Sequence, residues 1–182
     1  MMIFALATSL LLFSPNPQGV EAEASADAGI TAIVEVLGAE VGRFAVTNWV
    51  KSGPGDFEEL HFTIETEVIL EGAGVRTTWF EGEGDGGAFA GEVTRTLDPQ
   101  NGEVIQHWFS ARTGRWSTTR QAMNLSATGH STLHSGEDGF GAFEARSITT
   151  YLPEGGFDWT IERRYAGTGW LPIDRGEARL IE

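Results

Sequence analysis

Residues Glu59–Leu70 read ELHFTIETEVIL. The even positions carry Leu60, Phe62, Ile64, Thr66, Val68 and Leu70, and the odd ones Glu59, His61, Thr63, Glu65, Glu67 and Ile69. Successive side chains leave a strand on opposite faces, so this stretch predicts a strand with one face in a core and the other in water. Antiparallel sheets accept that arrangement, whereas parallel sheets bury both faces. The same alternation predicts strands at Phe44–Lys51, Val75–Glu81, Ala88–Leu97, Glu103–Ser110, Arg115–Met123, Gly129–His134, Gly141–Tyr151, Phe157–Tyr165 and Arg175–Glu182. Turn signals separate them, among them Ser52-Gly-Pro-Gly, Asp98-Pro-Gln-Asn-Gly102, Gly136-Glu-Asp-Gly139 and Pro153-Glu-Gly-Gly156. Ten short strands joined by tight hairpins predict an all-β, up-and-down antiparallel β-barrel, with a β-sandwich as the alternative. Ahead of the strands, Ile30, Ile33, Val34, Leu37 and Val41 mark one face of a short N-terminal helix behind Asp27, placed to close one end.

The chain has 182 residues, room for one ordinary domain. Its apolar share of 41% is that of a globular protein. Against 12 Lys and Arg stand 26 Asp and Glu, a net charge of −14. Without a basic patch, that balance repels phosphate backbones and anionic lipid, so neither nucleic acid nor a membrane surface is an expected partner. There are no cysteines, which removes disulfides, thiolate metal ligands and thiol nucleophiles together.

The first 24 residues read as an export signal. Residues 3–13 (IFALATSLLLF) form an apolar run, followed by Ser14, Pro15, Asn16 and Pro17 and by small residues at signal-peptidase spacing between Ala22 and Ala26. That run is too short for a membrane span, which needs ~20 apolar residues. Cleavage would leave one domain over residues 25–182, soluble and periplasmic or secreted.

Gly42-Arg-Phe44, opening the first strand behind a short helix, resembles the Gly-x-Trp opening of calycin (lipocalin-like) barrels, with Phe in place of Trp. The run Arg95-Thr-Leu-Asp98-Pro-Gln-Asn-Gly102-Glu-Val-Ile-Gln-His-Trp108 looks like a hairpin of one group in that superfamily, small bacterial proteins of unassigned function. Leu97 stands where that group carries Tyr. Phe157-Asp-Trp159-Thr-Ile-Glu162-Arg163-Arg164-Tyr165, followed by Gly169-Trp170, is similar to the same group's penultimate strand and last turn. The resemblance implies a lipocalin-like barrel with an interior pocket and no established reaction. The Gly-rich N-terminal signature of haem-binding relatives is missing, so no cofactor is expected.

Six Trp and eleven Phe occur in the chain. Trp49, Trp79, Phe89, Trp108, Trp116 and Trp159 fall on predicted strands and are candidate cavity walls; packed together, the same side chains would make a solid core. Arg163 shares a face with Phe157, Trp159 and Ile161. An inward guanidinium needs a partner, either an interior carboxylate or a ligand carboxylate. Glu81, Glu83, Asp85, Gly86 and Glu92 match the spacing of a calcium loop, but strand flanks make them an acidic hairpin. His130 and His134 share a strand face about 13 Å apart, too far for one metal ion, and no metal site is assigned. Gly129-His-Ser-Thr-Leu133 is not a nucleophile elbow, and no catalytic residue is assigned. The expected function is binding of a small, partly apolar ligand inside the barrel. The alternatives are an isomerase or hydrolase using a carboxylate or His107 in the same cavity, and a filled barrel serving as a structural or interaction module.

Overall fold

The computed structural model describes Ile33, residues 37–82, Gly84, residues 86–98 and residues 100–181. Ten strands follow one another: β1 Gly42–Lys51, β2 Phe57–Ile69, β3 Gly74–Glu81, β4 Phe89–Leu97, β5 Glu103–Ser110, β6 Arg115–Ser126, β7 Gly129–Asp138, β8 Gly141–Tyr151, β9 Gly156–Tyr165 and β10 Leu171–Leu180. Each pairs antiparallel with its sequence neighbour, and β1 pairs with β10 from Phe44↔Leu180 to Val50↔Asp174 to close the barrel. Closure removes the free sheet edges that a sandwich would leave.

The alternation that announced the strands sets which residues face inward. On β1 these are Phe44, Val46 and Asn48, all buried, and on β2 Phe62, Ile64 and Thr66. Two clusters hold the structure. Phe44, Val46, Ile64, Phe157 and Ala178 pack with Phe62, Trp79, Tyr151 and Trp159 along one wall. Ile33, Leu37, Val75 and Val104 pack with Val41, Leu97 and Met123 at the end where the chain enters.

Ile33 and Leu37, four residues apart, have helical backbone and are fully buried in that second cluster. The other residues of the N-terminal helix expected behind Asp27 lie outside the described residues. Among those described, only the 3₁₀ turn Gly38–Glu40 is delimited ahead of β1. The export segment, residues 1–24, also lies outside them.

Two boundaries differ from the sequence reading by four residues. The expected turn at Gly136–Gly139 is strand up to Asp138, because Gly136 continues β7 beneath the Phe143 ring, where a Cβ would come within 2.6 Å of it. β10 begins at Leu171, ahead of the expected Arg175, through a bulge between Pro172 and Asp174. The β6–β7 seam is short, pairing only Ala122–Ser126 with Leu133–Gly129.

Candidate functional site

The barrel encloses a cavity of about 810 Å³, within the ~300–1,000 Å³ typical of small-molecule pockets. Its walls combine indole and aliphatic surface with polar groups, among them Glu40, Arg95 and His130 at one end and Asn48 and Asp174 beside the indoles.

At the closed end stands Glu40, 3% exposed, brought inside by the 3₁₀ turn. Arg95 Nη2 donates to Glu40 Oε2 at 2.6 Å, His130 Nε2 lies 2.7 Å from Oε1, and the Tyr151 hydroxyl donates to Oε1 at 3.4 Å. One carboxylate thereby ties the turn to β4, β7 and β8. Burial alone would raise the Glu40 pKa. The Arg95 guanidinium and the His130 imidazole outweigh it, holding the group at about 2 against an ordinary 4.5. Arg95 Nε and His130 Nδ1 are buried without a protein partner. Tyr151 is raised well above the usual phenol range by burial and then by the Glu40 charge.

At mid-height three indoles meet. Trp79 packs edge-to-face with Trp108 at 6.2 Å, Trp159 at 6.0 Å and Phe62 at 5.5 Å between ring centroids. Beside them Asp174 accepts hydrogen bonds from Trp159 Nε1 at 2.8 Å and Asn48 Nδ2 at 3.0 Å. Burial raises the Asp174 pKa against the pull of both donors.

Near the open end Arg163 donates to Asp138 Oδ2 at 2.9 Å and lies 4.3 Å over the Phe143 ring. The Tyr165 hydroxyl donates to the same oxygen at 2.8 Å. Tyr165 is therefore raised by burial and by its bond to Asp138. These are the chain's two tyrosines. A free phenol is half ionised at about pH 10. The native protein is expected to show far less than half of its phenols as phenolate at that pH, with the rest ionising as the barrel unfolds. Ultraviolet titration against an unfolded reference checks this, and a native midpoint near 10 for either ring would refute it.

Of the seven expected site residues, Trp79, Trp108 and Trp159 line the cavity together. Arg163, on the same face of β9 as Trp159, is ion-paired with Asp138 and is not among the residues lining the cavity. The other three require correction. Trp49 lies on the outer face, donating to Glu59 at 2.8 Å beneath the Arg175 guanidinium. Phe89 would be inward by alternation with Gly91 and Val93, but a register shift at this point of the β3–β4 ladder turns it outward, 45% exposed. Trp116 pairs with Phe109 on the outside and is 61% exposed. His107, proposed as a base, is also on the outer face, bonded to Thr118 at 2.8 Å. Glu83 and Asp85 of the calcium-like window lie outside the described residues.

Sequence reasoning missed Glu40 and Asp174. For Asp174 a signal existed: Ala178 and Gly176, small and buried, alternate with Glu177 and Arg175, and the same parity carries back to Asp174 as an inward residue. Glu40 lies between helix and strand, where no periodicity applies.

Compared with known protein families and with curated proteins, the chain matches none.

Proposed function

We propose that the protein is an exported, calycin-like barrel that binds a small, partly apolar molecule in its interior. The observation that carries this reading is the 810 Å³ cavity walled by Trp79, Trp108 and Trp159. Hydrophobic and aromatic walls with a few placed polar groups are the usual composition of a small-molecule site. A filled barrel would leave no such space. The apolar N-terminal run of residues 3–13 supports export. A catalytic reading of the same cavity would rest on Asp174, since His107 faces outward.

A plug tests the binding reading. Ser147 is on the cavity wall, on β8, and Ser147→Phe places a ring inside the cavity. With 1-naphthylmethanol as probe in equilibrium dialysis, the wild-type chain is expected to bind one equivalent. Ser147→Phe should weaken that binding by about tenfold or more at unchanged circular dichroism. Equal binding by both chains, or none by the wild type, would overturn the reading.

A further inference from the structure

Among the described residues, the buried interior charges have charged partners, with one exception. Glu40 meets Arg95 and His130 at the floor, and Asp138 meets Arg163 near the mouth. Glu81, also on the cavity wall, is exposed, as is Arg112 on the β5–β6 turn. Asp174 sits between these levels. Both of its hydrogen-bond donors, the Trp159 indole and the Asn48 amide, are neutral, and both use Oδ1. Among the described residues none donates to Oδ2. Arg175, its neighbour in the chain, turns to the opposite face and lies over the Trp49 and Phe57 rings. A carboxylate withdrawn from water without a cation is costly, and that cost falls when a cation arrives.

Resting on the cavity as a ligand site, we infer that its ligand is a protonated amine on an apolar or aromatic body, the ammonium donating to Asp174 Oδ2 and the body lying against Trp79, Trp108 and Trp159. The unmatched carboxylate supplies the charge partner. Indole is the best side chain for holding a cation over its face, within about 6 Å of the ring, and three indoles stand at this level. The net charge of −14 concentrates cations around the protein and repels anions. A carboxylate ligand meets no unmatched buried cation, because the guanidinium groups of Arg95 and Arg163 already face Glu40 and Asp138 and Arg112 is exposed. Burial raises the Asp174 pKa and only the neutral donors Trp159 and Asn48 oppose it, which agrees with a carboxylate that has no cation beside it.

Three probes of one shape separate the possibilities: 1-naphthylmethylamine, 1-naphthylmethanol and 1-naphthylacetate, titrated near neutral pH into wild-type protein and Asp174→Asn. The asparagine keeps Oδ1 as acceptor for Trp159 and Asn48. The amine is expected to bind the wild type about ten- to a hundredfold more tightly than the alcohol, with the acid weakest. In Asp174→Asn the amine should fall to the level of the alcohol, whose own binding stays unchanged. An amine no tighter than the alcohol, an acid that binds best, or a preference for the amine that survives in Asp174→Asn would each overturn the inference. If the alcohol still binds and Ser147→Phe still blocks it, the cavity reading stands without the amine. If none of the three binds, both fall.

Discussion

Glu40→Ala is expected to cost the fold about 3–5 kcal/mol, the range for removing one partner of a buried ion pair. The alanine leaves Arg95 with its charge buried and no carboxylate, on a guanidinium whose Nε already lacks a partner. It also strips His130 and Tyr151 of their shared acceptor and releases the turn that leads from Ile33 and Leu37 into β1. Glu40→Gln keeps the shape and loses the charge, and should fall between the two. The pH dependence separates this account from simple loss of packing. Glu40 has a folded pKa of about 2, below its ordinary 4.5. A depressed acid contributes stability that is present above the unfolded pKa and lost as pH falls through the folded one. The wild type should therefore lose about 3 kcal/mol from this group between about pH 5 and pH 2, and Glu40→Gln should lose none of it. Denaturant melts across that range measure both. A wild-type acid limb no steeper than that of Glu40→Gln would show that the pair does not hold the barrel floor.

How much of this was legible beforehand differs by level. Period-two alternation is a local property, and a face buried along a strand such as Glu59–Leu70 shows it residue by residue. Strand count and antiparallel pairing followed, because tight turns permit only neighbours to pair. What alternation does not carry is parity across an irregularity. The shift at the β3–β4 ladder reversed Phe89, and the bulge between Pro172 and Asp174 hid the start of β10 at Leu171. Parity alone also leaves two faces to choose between. On β5 and β6 both faces carry aromatic or polar side chains, so Trp108 goes in and Trp116 out for reasons that lie in the neighbouring strands. Pairing of charges is a tertiary fact throughout. Arg163 advertised a need for a partner but not that Asp138 would meet it, and the Glu40 contacts join residues 55, 90 and 111 positions apart.

The mid-height wall makes a prediction whose sign reverses with background. Trp159 and Gly176 are directly paired across β9 and β10, and the indole lies over the glycine so closely that a Cβ there would come within 2.1 Å of the ring. Gly176→Ala must therefore displace Trp159, but the indole is held by Trp79 on one side and Phe157 on the other and is bonded to Asp174. The substitution is expected to cost about 1–3 kcal/mol as overpacking. Trp159→Ala alone should cost about 3–5 kcal/mol through lost burial and the cavity left behind. Once the ring is gone, the three atoms nearest to a Cβ at position 176 go with it. No left-handed backbone is required at Gly176, and alanine restricts the unfolded chain more than glycine does. In the Trp159→Ala background it should then stabilise the protein by up to about 1 kcal/mol. A double-mutant cycle by chemical denaturation reads the coupling directly. Additive effects would mean that the ring does not rest on the glycine backbone. A reversal would show that the absent side chain at position 176 sets the depth of the Trp159 indole, and with it the distance of Asp174 from whatever the cavity holds.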